Sequence, residues 1–152
     1  MSTLTFRTAS KDDLHAVIAL LADDEIAENR EKPVEGVSDE YARAFEAMQS
    51  EHYNRILLCE DAGRIVGCLQ LAFVPGLSRK GTTRAIVESV RVAAGSRGQN
   101  VGTALMKEAI RLARDGGCGL IQLTSDKRRP RAHLFYRRLG FEQSHFGFKK
   151  EL

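Results

Sequence analysis

The stretch Val90-Arg91-Val92-Ala93-Ala94-Gly95-Ser96-Arg97-Gly98-Gln99-Asn100-Val101-Gly102-Thr103-Ala104-Leu105 constrains this chain more than any other. A β-branched run ends, a loop of small residues and arginine follows, and an apolar-periodic helix begins at once. That order makes an anion cradle. First-turn N–H groups lack intrahelical partners, and small side chains let a ligand approach them. The helix dipole adds roughly 0.3–1 kcal/mol for an anion placed there. A phosphate-bearing ligand is expected at this point.

Spacing excludes two common phosphate loops. A Walker-type loop needs a lysine after its last glycine, and Gly102 is followed by Thr103 and Ala104. A dinucleotide fingerprint needs Gly-x-Gly-x-x-Gly, which Gly95, Gly98 and Gly102 do not form.

The flanking sequence alternates strand and helix patterns. Leu4–Thr8 reads as a strand and Asp12–Leu21 as a helix behind the capping residue Ser10. Pro33 and Gly36 break the charged stretch that follows, and Ser38 caps a second helix through Met48. Arg55–Glu60 and Ile65–Val74 form a hairpin about Asp61-Ala62-Gly63, then a loop over 75–81 leads to a long strand from Arg84 to Val92. Along the next helix Val101, Ala104, Leu105, Ala109, Leu112 and Ala113 share one face, and Gly116-Gly117 stop it. Leu120–Thr124 is a strand, Arg131–Leu139 a short helix, and Phe141–Lys149 closing strand material.

Arg97-Gly98-Gln99-Asn100-Val101-Gly102 resembles the coenzyme A signature Arg/Gln-x-x-Gly-x-Gly/Ala of the GNAT family of N-acetyltransferases, with Asn100 where that family usually has glycine. Asparagine tolerates positive φ best after glycine, so the turn survives the change. A second block, Ala132-His133-Leu134-Phe135-Tyr136-Arg137-Arg138-Leu139-Gly140-Phe141, resembles the family's Ala-x-x-x-Tyr-x-x-x-Gly-Phe segment. The resemblance implies an α/β (α+β) fold: a single acetyltransferase domain over residues 1–152. Its core would be a central mixed, mostly antiparallel twisted sheet of about six to seven strands flanked by about four helices. It is weakest between Asp23 and Arg55.

It also implies acetyl-CoA as acetyl donor and a set of site residues. Backbone groups of Val90 and Val92, with Arg91 between them, would meet the pantetheine arm as an added strand does. Arg97, Gly98, Gln99, Asn100, Val101, Gly102 and Thr103 would hold the pyrophosphate, Arg97 adding charge. Glu88, a charged residue inside an apolar strand, is the expected base. Alkyl amines have pKa near ~10, so only about a thousandth is nucleophilic at pH 7 and a proton acceptor is needed. Tyr136 is the expected general acid toward the thiolate. The plain alternatives are an outward-facing strand carboxylate and a core tyrosine beside Phe135 and Phe141. Many family members use an Asn where this chain has Arg129, so that contact is not carried over; the cluster Lys127-Arg128-Arg129-Pro130-Arg131 could instead attract the 3′-phosphate.

The acceptor is less defined. Asp23, Asp24, Glu25 and Glu28 form an acidic cluster that either greets a cationic amine or is a solvated helix end. The C-terminal segment is similar to aminoalkylphosphonate N-acetyltransferases, which would make the acceptor a small amine bearing an anion received by Arg84 or Lys80. Cys59, Cys68 and Cys118 lack Cys-x-x-Cys spacing and read as reduced thiols of a cytoplasmic protein; none is placed to carry an acetyl group, so direct transfer in a ternary complex is expected. His133 and His145 form no zinc spacing, so no metal is expected. A net charge of +3 is too modest for nucleic acid, and no apolar run reaches the ~18 residues of a membrane span. Family habit implies a homodimer. The alternatives are a non-catalytic acyl-CoA-binding domain and a protein- or antibiotic-acetylating enzyme.

Overall fold

The central hairpin follows from its turn. Ala62 and Gly63 both take positive φ (49° and 75°), the pair of left-handed residues that lets a two-residue turn match strand twist. It joins β2 (Asn54–Asp61) to β3 (Arg64–Val74). β1 (Leu4–Thr8) and β4 (Arg84–Val92) pair antiparallel on either side, and β5 (Leu120–Leu123) adds in parallel to β4. The computed structural model describes residues 3–24, 26 and 37–152. Within them the sheet runs β1-β2-β3-β4-β5.

Helices cover both faces. On one side lies α4 (Val101–Asp115), whose Val101, Leu105, Met106, Ala109 and Ala113 are buried against Leu57, Cys59, Leu69, Leu71, Phe73, Ala85 and Val87. On the other, α1 (Leu14–Ala22) sets Val17 and Leu20 against Ile56, Leu58 and Cys68. Phe45 of α2 (Asp39–Ser50) packs onto Leu14 and Ile18 of α1. Two short elements remain. The turn α3 (Ser78–Gly81) holds Arg79 and Lys80 in left-handed conformation, and α5 (Pro130–Arg138) starts on a proline, whose fixed φ suits a first helical turn. Among the described residues no helix is long and apolar enough to cross a membrane.

The seating of α4 is set at Gly67 of β3. A Cβ there would stand 3.0 Å from the Arg91 carbonyl oxygen and 3.2 Å from Val101 Cγ1. Only glycine lets the helix N-terminus settle this closely over the end of β4.

Two expectations are corrected. The described sheet has five strands instead of six or seven, because Phe141–Lys149 forms none. Phe141 is tied to the end of α5, its N–H donating to the Tyr136 carbonyl at 3.1 Å. Beyond it the chain passes the end of β5, with Gly147 near Thr124, instead of running along that strand. The expected loop over 75–81 holds the single turn α3, left-handed at Arg79 and Lys80, which makes five helical segments where about four are expected.

Gly67→Ala is expected to lower unfolding free energy by about 1–3 kcal/mol, the usual cost of overpacking a filled contact. Urea titration checks this, and an unchanged midpoint would mean that α4 does not depend on close approach at Gly67.

Candidate active site

The site is built where two parallel strands part. β4 pairs with β5 only from Arg84↔Leu120 to Val87↔Leu123, and its last five residues, Glu88 to Val92, have no β5 neighbour. On the other side β4 still pairs with β3, through Gln70↔Glu88, Cys68↔Arg91 and Gly67↔Val92. Ser89 and Val90 of β4 thus stand opposite the single residue Leu69 of β3, which is a β-bulge. Its centre is Ser89, at φ 54°. Such bulges re-aim side chains and break the ladder.

Beyond the bulge, Ala93 N–H donates to the Val66 carbonyl of β3 at 2.8 Å. By alternation, the polar backbone groups of Val92 and Val90 turn toward the open side. Their carbonyls are met there by guanidinium groups: Val90 O accepts from Arg91 Nη1 at 3.0 Å and Val92 O from Arg97 Nε at 3.2 Å. An extended ligand in the parting would find main-chain partners along this edge.

At the end of β4 the chain makes a 3-10 turn over Ala94–Ser96, then passes Gly98 (φ 76°) and Asn100 (φ 63°) into α4. Asn100 thus takes the left-handed conformation expected of it. It is the N-cap, yet among the described residues no side-chain capping bond is made there, so the first-turn N–H groups of Val101, Gly102 and Thr103 lack that partner. Gln99 braces the loop, its Nε2 donating to the Gly95 carbonyl at 3.0 Å. A Cβ at Gly102 would meet Phe135 at 3.5 Å and Val92 at 3.6 Å, so α5 walls the cradle in ordinary contact.

α5 also brings in Tyr136. Its ring makes edge contacts with Phe135 (5.1 Å) and Phe141 (6.0 Å). Burial raises the phenol pKa above its usual value, opposed by the positive charges of Arg91 and Arg129. Tyr136 is therefore protonated at neutral pH.

The charges around it are organised by two neighbouring aspartates at the end of α1. Asp24 is only 8% exposed and pairs with Arg91 at 3.0 Å and with both Nη atoms of Arg129, one at 2.9 Å. The Arg129 hydrogen bonds, with further help from Arg91, hold its carboxyl below the usual range against the opposing effect of burial. Among the described residues Arg91 Nε is buried with no hydrogen-bond partner. Asp23 takes Arg97 Nη2 at 3.1 Å. One carboxylate against two guanidinium groups leaves the Asp24 cluster with an excess positive charge.

Glu88 is exposed on the sheet face that carries α1 and α2, opposite Gln70. Gln70 Nε2 donates to Asn54 Oδ1 at 2.9 Å, and Asn54 lines a cavity of about 220 Å³ with Thr8, Phe45 and Gln49. Glu88, Gln70 and Asn54 thus lie on neighbouring strands of one sheet face, with Asn54 at the edge of a pocket under α2.

The structure brings Val90, Arg91, Val92, Arg97, Gly98, Gln99, Asn100, Val101, Gly102 and Thr103 together around the parting. Arg84 and Lys80 lie toward the far end of β4, where Arg84 Nη2 donates to Ser78 Oγ at 2.7 Å. Arg128 pairs with Asp126 at 2.7 Å and Arg129 with Asp24, so two members of the basic cluster are already engaged. Glu25 and Glu28 of the acidic cluster lie outside the described residues. Asp23 and Asp24 serve as arginine partners within the protein. Sequence reading missed this role because the arginines lie 67 to 105 positions further along the chain.

The model of the Acetyltransferase (GNAT) family matches residues 15–141. The chain belongs to the GNAT acetyltransferase family. It is 33% identical over 152 residues to an aminoalkylphosphonate N-acetyltransferase of Salmonella typhimurium, covering all of this chain and 94% of that one. Among solved structures, a protein from Bacillus halodurans described as a transcriptional regulator superposes with TM-score 0.95 at 39% identity, over 99% of this chain and 100% of that one. A putative acetyltransferase from Agrobacterium tumefaciens gives 0.83 at 26%, over 97% and 99%. The chain is a GNAT-type N-acetyltransferase.

Its thiols are poor nucleophiles. Burial pushes Cys59 up to about 11 and Cys68 up to about 12, and raises Cys118 as well. At neutral pH all three are protonated.

Asp24→Asn leaves two guanidinium groups short of a counter-charge and is expected to cost about 1–3 kcal/mol of stability at pH 7. Because the folded-state pKa of Asp24 is depressed, its contribution is complete above about pH 4 and fades as pH falls further. Urea titrations at pH 7 and pH 3 check this: the gap between parent and variant should narrow in acid. A gap that widens there would contradict the pairing.

Proposed function

We propose that this acetyltransferase uses acetyl-CoA to acetylate a small primary amine by direct transfer in a ternary complex. The observation that carries the reading is the parting of β4 from β5 beyond Val87, flanked by the bulge at Ser89 and ending at an uncapped helix N-terminus.

These residues fit the cofactor. Backbone groups of Val90 and Val92 offer strand-like bonds to a pantetheine amide. The N–H groups of Gly98 and Asn100 to Thr103, with the α4 dipole, suit a pyrophosphate. Arg97 exchanges its bond to the Val92 carbonyl, and its partner Asp23, for the phosphates. Lys127 and Arg131 make no ion pair among the described residues and suit the 3′-phosphate. Bound acetyl-CoA supplies an acetyl group activated as a thioester.

Glu88 takes the proton that the acceptor ammonium must lose, directly or through water, and leaves the nitrogen lone pair free for the acetyl carbon. As the new C–N bond forms and the C–S bond breaks, Tyr136 gives its phenolic proton to the departing sulfur. The phenol is a weaker acid than the thiol by roughly 2 kcal/mol in reference terms. Burial makes the phenol a weaker acid still, with Arg91 and Arg129 opposing that rise; poor solvation of the thiolate raises the thiol in the same way and makes it the stronger proton acceptor. Protonated thiols at Cys59, Cys68 and Cys118 favour direct transfer over a route through acetyl-cysteine.

The acceptor enters from the α2 side, along Glu88, Gln70 and Asn54. The Salmonella relative is named for aminoalkylphosphonates, which supports an amine that also bears an anion. Arg84, on the same face of β4 as Glu88, is the cation assigned to that anion, with Lys80 of α3 beyond it.

Coenzyme A release, followed by thiol detection across aminoalkylphosphonates, amino acids, polyamines, aminoglycosides and lysine peptides, tests the reading. A saturable response confined to small anionic amines is expected. Tight acetyl-CoA binding with silence across the panel would favour a non-catalytic acyl-CoA-binding role. Glu88→Gln and Tyr136→Phe should each lower kcat by about 10²–10⁴ with the acetyl-CoA Kd unchanged. Turnover unaffected by either change would remove that residue from the chemistry. With Tyr136 as acid, kcat should hold on the alkaline side until above pH 10, because its pKa is raised; a decline well below pH 10 that Tyr136→Phe abolishes would contradict this.

A further inference from the structure

Arg84 opens β4 on the sheet face turned away from α4. Ala85 and Val87 are buried in the core that α4 covers, so Arg84, Ile86 and Glu88 share the opposite face by alternation. Gln122 of β5 stands beside Ile86 in the parallel register and belongs to the same face. The turn α3 folds Ser78 back toward the start of β4. Thr82 N–H donates to the Ser78 carbonyl at 3.3 Å, and Thr82 Oγ1 to the Arg79 carbonyl at 2.7 Å.

Arg84 is held there by neutral oxygens. Its Nη2 donates to Ser78 Oγ at 2.7 Å and its Nη1 to Gln122 Oε1 at 3.4 Å. Among the described residues this half-buried guanidinium makes no ion pair, whereas Asp23 and Asp24 match Arg91, Arg97 and Arg129. Glu88 lies roughly 13 Å further along the strand. A cation steadied only by neutral groups keeps its full charge, and a half-buried charge favours a counter-ion.

The direction of these bonds matters. A serine that accepts through Oγ still has its O–H to give, and a glutamine that accepts through Oε1 still has its amide N–H groups. Arg84 keeps further N–H groups of its own. Ser78 and Gln122 are exposed, so a ligand can reach these donors without any rearrangement. Three side chains, from α3, β4 and β5, thus offer donors at one place with no carboxylate among them.

We propose that Ser78 and Gln122 join Arg84 in one oxyanion site that takes the phosphonate of the acceptor and sets the preference for anionic over neutral amines. The site rests on the assignment of the acceptor's anion to Arg84, and adds two residues that both steady the guanidinium and touch the anion. Donors from three directions suit the three oxygens of a phosphonate better than the two of a carboxylate. Arg79 and Lys80, exposed in the same turn, add to the positive potential that draws the anion in.

Heteronuclear NMR of the isotope-labelled full chain tests it, with coenzyme A saturating so that the cradle is occupied and methylphosphonate as the probe. The side-chain signals of Arg84 Nε and Gln122 Nε2 should shift together and saturate. Ser78→Ala and Gln122→Leu should each raise the methylphosphonate Kd by about 5–30-fold, and Ser78→Thr, which keeps the hydroxyl, by much less. In turnover the first two changes should raise the KM of aminoethylphosphonate by a similar factor, with kcat and the KM of acetyl-CoA as in the parent. A saturable shift at Arg84 whose Kd ignores both changes would overturn the inference and leave Arg84 as the anion's partner. No saturable shift at Arg84 would overturn the assignment of Arg84 and this site with it. A site that binds methylphosphonate in an enzyme that does not acetylate aminoethylphosphonate would overturn its role in recognising the acceptor.

Discussion

Everything distinctive about this site depends on β4 losing its parallel neighbour halfway along. A strand inside a sheet has its N–H and C=O groups consumed on both sides. From Glu88 to Val92 this strand is paired on one side only. The bulge at Ser89 coincides with the parting and lets the β3 pairing resume at Arg91 in a shifted register. Gly67 seats α4 over the same end, so its uncapped N-terminus stands where β4 finishes. A slot with main-chain partners along its wall and a positive helix end at its foot suits a ligand that is extended at one end and phosphorylated at the other.

Charge then ties the surrounding elements to that slot. Asp23 and Asp24 close α1 and reach three arginines on β4, on the cradle loop and at the start of α5. Arg91 and Arg129 add positive charge near Tyr136, and Arg97 sits in the cradle itself. The same pairs that fasten α1 to the sheet thus shape the electrostatics of the site. The bonds that Arg91 and Arg97 make to the Val90 and Val92 carbonyls are ones a bound ligand would compete for.

Local signals in the sequence carried most of the fold. The Asp61-Ala62-Gly63 turn, the strand from Arg84 to Val92 and the helix behind Asn100 are all where periodicity and turn chemistry put them, because neighbouring residues decide them. Asn100 is the plainest case, a non-glycine residue in left-handed conformation at the position that needed one. What escaped depends on distant partners. The bulge at Ser89 is invisible locally, since Ser89 stands in a run that alternates like any strand. Asp24 looked like a solvated helix end because its arginines are far along the chain. Phe146 and Phe148 alternate about Gly147 as in a strand, but Phe141–Lys149 pairs with no strand among the described residues, and so short an alternation forms none by itself.

Amide hydrogen exchange with and without acetyl-CoA tests the parting most directly. The account predicts new protection at Val90, Val92 and the amides from Gly98 to Thr103, with little change along β1 and β2. Protection confined to other elements, with Val90 and Val92 exchanging as before, would contradict the claim that the open edge of β4 receives the cofactor.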